Sequence, residues 1–152
     1  MSELSLFQAL RLDHFRQREL MRQLSRTEGV SALRRELYRQ LSHELRAHEI
    51  AEQNHLYSPL FSSSLSRDSA RLSVEQHREI DQLLLQLDGT DMAGPFWMRR
   101  ARYLFERVLH HINAEEQHLF ELATRVLGDN ERETLAAAYL KEMQAQRSQR
   151  AA

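Results

Sequence analysis

The chain of 152 residues has no cysteine, which excludes disulfides, iron–sulfur clusters and thiolate metal sites. Histidine and carboxylate are then the only strong ligands it can offer a metal. Glycine and proline are scarce, four and two residues, so there are few places where a helical chain would have to break. No apolar run approaches the roughly 18 residues of a membrane span. The opening MSELSLFQAL also lacks the basic segment and apolar core of a secretory leader. A cytoplasmic protein with no membrane partner is therefore expected. Charge of one sign is not in excess either: 21 Lys and Arg stand against 22 Asp and Glu. The Arg-rich stretches SALRRELYRQ and MRRARYLFER carry acids at amphipathic spacing and read as solvated helix faces, so no nucleic-acid partner is expected.

What the sequence does have is helical periodicity. Apolar residues recur at three- and four-residue steps, as in Leu37, Leu41 and Leu45, and no alternating run marks a strand. The lapses fall near Gly29, Pro59, Gly89, Gly94 with Pro95, and Gly128. They predict helices at about 4–27, 32–57, 69–88 and 96–127, and a short fifth at about 130–148. Asp129 or Asn130 is expected to cap the last, with Leu135, Ala138, Tyr139, Glu142 and Met143 facing the end of the bundle. Short linkers favour antiparallel neighbours, so the fold class is all-α, one domain built as an up-down-up-down four-helix bundle with a C-terminal helix. SPLFSSSLSRD at 58–68 is the longest expected loop and the segment expected to be most mobile.

Eight histidines are present, and their placement is not random. HEIAEQNHLY at 48–57 and HINAEEQHLF at 111–120 are members of an internal repeat with an offset of 63 residues. The same offset places His14 on His77, Leu24 on Leu87, Leu41 on Leu104, His48 on His111, Glu52 on Glu115 and His55 on His118. On the fourth helix the line Trp97, Ala101, Leu104, Val108, His111, Glu115, His118, Leu122 describes one face. Three polar residues interrupt an apolar stripe. Each of the other long helices likewise sets histidine in its apolar face. Carboxylates buried there without a partner would cost several kcal/mol, and a bound cation is the economical compensation.

Depth supports this reading, because side chains on antiparallel helices meet only at equal distances from the turn that joins them. The midpoints between His14 and His48/Glu52, between that pair and His77, and between His77 and His111/Glu115 fall near residues 32, 63 and 95. Each lies within about one helical turn, roughly 5 Å, of an expected connection. Four imidazoles and two carboxylates exceed what one tetrahedral zinc takes, and suit calcium or magnesium poorly. Two iron or manganese ions bridged by Glu52 and Glu115 fit better, the many histidines favouring iron.

In order, DHFRQREL, HEIAE, EQHREI and HINAEE resemble the hemerythrin-like, HHE cation-binding family over about residues 4–127. The resemblance implies a non-haem di-iron site in a four-helix bundle, with His14, His48, Glu52, His77, His111 and Glu115 as ligands and an oxygen bridge between the irons. It further implies binding or sensing of dioxygen, nitric oxide or iron. The oxygen-carrying members supply two histidines one turn apart from the third helix, whereas Ser73 and Asp81 flank His77 here. The pattern is closer to members associated with sensing and with peroxide or nitric oxide chemistry. An enzyme acting on peroxide or nitric oxide, with His55 or His118 supplying protons, is the alternative; a metal-stabilised bundle that binds another protein is a third. His55 and His118, although they form E-x-x-H motifs with Glu52 and Glu115, are expected beside the metals. His43 and His110 lie off the shared face, Glu49 is either an auxiliary ligand or a surface residue, and Tyr57 is expected to pack with Phe120 at one end of the bundle.

Overall fold

The computed structural model describes residues 4–151, and side chains through residue 149. All regular structure among the described residues is helical: α1 Leu6–Ser25, α2 Ala32–Glu52, α3 Ser58–Leu60, α4 Arg67–Asp88, α5 Trp97–Ala114, α6 Phe120–Val126 and α7 Asp129–Ala151. Two π-helical turns, Gln53–Tyr57 and Glu115–Leu119, join α2 to α3 and α5 to α6. No helix among the described residues is long and apolar enough to cross a membrane.

Local chemistry sets the helix starts. Ser5 and Gln8 form a reciprocal capping box at α1, with bonds of 2.9 and 3.1 Å, and Ser31 accepts from the Arg34 amide at α2, each satisfying donors the first turn leaves open. Gly29 turns the chain between them at φ +59°, a conformation that favours glycine. The buried Arg34 then ties α2 to Thr27 at 2.6 and 2.9 Å.

α1 packs on α2 and α4 on α5, while α7 lies against both α1 and α2. Two apolar clusters result. One gathers Met21, Leu24, Leu41, Leu84, Leu87, Trp97 and Leu104; the other gathers Leu10, Leu56, Tyr57, Leu60, Phe120, Tyr139 and Met143. His14, His48, His77 and His111 each fall in sequence between a residue of one cluster and a residue of the other, so the polar layer lies between two apolar ones.

Two expectations need correction. The 58–68 loop is shorter than expected, because α3 and α4 take up both ends and leave 61–66 outside any helix. The buried Ser66 hydroxyl donates to Leu60 O at 2.7 Å and Arg67 Nε to Phe61 O at 3.0 Å, bonds that pin its middle. The fifth helix is 23 residues long, and its Ala136, Tyr139 and Met143 are buried in the core shared with α1 and α2. It therefore runs along the bundle instead of closing its end, and Asp129 lies within its first turn.

Candidate metal centre

α1 contributes His14, α2 His48 and Glu52, α4 His77, α5 His111 and the second π turn Glu115. Four ligand atoms from His14, His48, Glu52 and Glu115 lie within 4.8 Å of one another, and so do four from Glu52, His77, His111 and Glu115. The six residues read from the sequence thus converge in two sets that share both carboxylates. None is more than 4% exposed, a depth at which unpaired charge is costly.

The donor atoms face inward. The Nε2 atoms of His14 and His48, with Glu52 Oε2 and Glu115 Oε1, are buried without a hydrogen-bond partner among the described residues. Glu115 Oε1 lies 3.3 Å from His14 Nε2 while its Oε2 lies 3.4 Å from His111 Nε2, so its two oxygens address different halves of the site. Glu52 Oε1 is 3.0 Å from His48 Nε2 and 3.1 Å from His77 Nε2. Orphaned lone pairs gathered in a buried space are what a cation would satisfy.

Three of the four outward ring nitrogens are held, while His77 Nδ1 is buried without a hydrogen-bond partner among the described residues. His14 Nδ1–H donates to Glu116 Oε2 and His111 Nδ1–H to Gln76 Oε1, both at 2.6 Å. His48 Nδ1–H donates to the Tyr139 hydroxyl at 2.6 Å, which donates to Asp13 Oδ2 at 2.5 Å. His48 Nδ1 is 3.9 Å from Asp13, too far for a direct bond, so the phenol bridges them. Arg147 closes the chain, reaching Asp13 at 2.7 Å and Glu44 at 2.9 and 3.0 Å. Such bonds fix the tautomer that leaves each Nε2 lone pair free for a metal.

Electrostatics follow from this burial. Desolvation pulls the imidazoles down, yet Glu115 and Glu116 raise His14 above its ordinary value, and Glu52 and Asp13 hold His48 well above. His77, with less compensation against burial, falls to about 4. Glu52 is held well below the carboxylate range by His48 and its other partners despite desolvation, while burial and the Glu52 charge push Glu115 up. Burial and the two carboxylates also raise Tyr57.

The π turns explain which residues the sequence pattern misplaced. Ser58 N–H donates to Gln53 O and Phe120 N–H to Glu115 O, each five residues back instead of four. One extra residue per turn displaces the following face by about 100°. His55 consequently leaves the core and meets Glu142 at 2.7 Å, and His118 is exposed. Neither belongs to either set of ligand atoms, and only His55 keeps a part in a polar network. Tyr57 and Phe120, five residues after Glu52 and Glu115, take the inward positions. Tyr57 is not simply packing: its hydroxyl sits among Glu52, Glu115, His77 and His111. Phe120 instead stacks near His14, ring centres 6.3 Å apart. His43 bonds Gln146 O on α7, and His110 is exposed.

Glu49 is buried yet outside both sets. Desolvation and its bond to Asp81 raise its carboxyl to about 10, so it keeps its proton near neutrality. The stabilising protonated form is complete below the unfolded pKa near 4.5 and is lost as pH rises toward 10. Glu49→Gln, which cannot ionise, is expected to match the parent at pH 4 and to exceed it by roughly 5 kcal/mol at pH 8, about 1.4 kcal/mol for each pH unit above the unfolded pKa. Urea unfolding at the two pH values checks this; an equal difference at both would refute it.

Asp13, Gln76 and Glu116 carry no signal of a site role in the sequence, and Tyr139 reads there only as a packing residue of the last helix. Asp13 and Glu116 adjoin ligands in the quoted motifs, but adjacency on a helix does not reveal which ring nitrogen they meet. The signal for Tyr139 is one phenol in the middle of an otherwise apolar α7 face.

Comparison with known proteins places this geometry. The hemerythrin HHE cation-binding domain model matches residues 5–123, a span that includes all six residues. A protein described as a DNA nickase from Nostoc sp. is 26% identical over 137 residues, covering 90% of this chain and 38% of that protein. The chain thus spans well under half the length of this relative. A hemerythrin HHE cation-binding domain-containing protein from Mycobacterium kansasii shares the fold, with a TM-score of 0.87 at 21% identity over 97% of this chain and 90% of that one.

Proposed function

Since this chain belongs to the hemerythrin HHE cation-binding domain family, we propose that it is a single-domain, non-haem di-iron protein that binds or senses dioxygen, nitric oxide or iron. The observation that carries the reading is the pair of four-residue sets sharing Glu52 and Glu115. Those carboxylates would bridge two irons, with His14 and His48 on one and His77 and His111 on the other. The up-down-up-down order of the four helices is the arrangement that brings these residues to one level. An oxygen bridge between the metals belongs to the same reading.

Bound irons would supply positions at which a diatomic ligand or peroxide attaches. The protein's part is to hold the donors and exclude bulk water. Glu116, Gln76 and the Tyr139–Asp13 pair fix three imidazoles, so little reorganisation is needed when a cation enters. A sensor would report occupancy through the helices that carry these partners. The likeness to a DNA nickase extends over 38% of that protein and is read as one of domain and not of activity.

Metal analysis of aerobically purified, untagged protein tests the core of this. About two irons per chain are expected, with His43→Ala leaving the content unchanged. Neither two irons nor any other pair of metals would refute the reading. Reversible ligand binding without net consumption is the expected behaviour. Sustained consumption of peroxide or nitric oxide would identify an enzyme instead, and partner binding that survives metal removal would favour an interaction bundle. The enzyme alternative is less favoured, because His55 turns out of the core to Glu142 and His118 is exposed, which is not where a proton donor to the site would sit.

A further inference from the structure

We propose that Tyr57 is a seventh metal-binding residue, its phenolic oxygen a direct ligand of the cation held by His77, His111, Glu52 and Glu115. The inference deepens the di-metal reading above and rests on it.

The argument begins with a mismatch in hydrogen-bonding capacity. Tyr57 Oη lies 3.1 Å from Glu52 Oε1, 3.1 Å from His77 Nε2 and 3.4 Å from His111 Nε2, and also meets Glu115 Oε2. The two imidazole Nε2 atoms are themselves 2.9 Å apart. Because Gln76 takes the Nδ1–H of His111, its Nε2 presents a lone pair. One hydroxyl proton cannot satisfy two carboxylate oxygens and two ring nitrogens at once.

The spacing instead fits the shell around a cation. Donors about 2.1 Å from a metal, at right angles to one another, are separated by about 3.0 Å, and by about 3.4 Å at tetrahedral angles. Three of the four Tyr57 contacts, at 3.1 to 3.4 Å, fall in that range, and the fourth, to Glu115 Oε2, is closer, as a hydrogen bond from the still-protonated phenol is. The phenol oxygen therefore occupies a vertex of the polyhedron and leaves its centre for the ion. On binding, the O–H bond breaks, its proton passes to solvent and the oxygen lone pair forms the metal bond.

The backbone supplies an independent reason. In an uninterrupted α-helix residue 57, five positions after Glu52, would turn away from its face; the π turn returns it inward. The equivalent turn in the second half delivers Phe120, which has no oxygen, beside His14. Only the His77/His111 half gains a further donor.

Absorption and resonance Raman spectra of the protein loaded with ferric iron test this. A phenolate-to-iron charge-transfer band with enhanced tyrosinate ring modes is expected. Tyr57→Phe should abolish it while circular dichroism stays unchanged. The double variant Tyr38→Phe/Tyr103→Phe should keep the band even if Tyr57→Phe does not fold, and so should Tyr139→Phe once ferric iron at saturating concentration offsets the weaker binding expected of it. Iron bound without the band, or a band lost in the double variant or in iron-saturated Tyr139→Phe, or persisting in Tyr57→Phe, overturns the assignment and leaves the di-metal reading standing. A chain that binds no iron overturns both.

Discussion

Glu52→Ala and Glu115→Ala proteins are each expected to purify with less than about a tenth of the parent's metal, whereas His77→Ala retains about one ion per chain. The difference follows from membership. Each carboxylate belongs to both sets of ligand atoms, while His77 belongs to one. Removing a shared bridge strips both positions at once; removing His77 leaves the His14, His48, Glu52 and Glu115 donors together. Glu52→Gln should also lose both ions, since an amide is a weaker ligand, yet it keeps the volume. Glu52→Ala has a second consequence. The carboxylate lies beside His48 and His77, and breaking a buried ionic contact by deleting one partner costs about 3–5 kcal/mol. Thermal unfolding alongside metal analysis separates the two effects. Equal metal loss in Glu52→Ala and His77→Ala would mean that the halves do not bind independently.

Substitution of Tyr139 should divide packing from ligand orientation. Tyr139→Ala removes a fully buried ring from the core shared by α1, α2 and α7 and is expected to cost about 3–5 kcal/mol. Tyr139→Phe keeps the ring but deletes the hydroxyl between His48 and Asp13. Its expected stability cost is about 1–3 kcal/mol for the partners left unpaired. Metal affinity should nonetheless fall about 10–100-fold, the usual effect of removing the group that orients a ligand imidazole. Calorimetric titration with ferrous iron, against a denaturation series, measures both. Unchanged affinity in Tyr139→Phe would show that α7 serves the site through packing alone.

The sequence reading and the structure part company at specific residues. His14, His48, Glu52, His77, His111 and Glu115 could be read from spacing because α1, α2, α4 and α5 are regular up to the π turns, and Glu115 stands at the first position of the second. A 3.6-residue period then converts position into direction. The same period failed one turn later. Nothing in QNHLY or EEQHL announces a five-residue turn, so His55 and His118 were assigned the face that Tyr57 and Phe120 occupy. The repeat nonetheless signalled that both segments would behave alike, as they do.

What the sequence alone determined is the helical class and the six inward donors, because hydrophobic periodicity and the internal repeat encode both locally. Tertiary structure decided the rest. α7 lies alongside α1 and α2, and so Tyr139 and Arg147 reach Asp13 over separations of more than a hundred residues, which no spacing rule can express. The π turns arise where backbone hydrogen bonding and core packing settle jointly on five residues instead of four, and that choice aims the Tyr57 oxygen at the site.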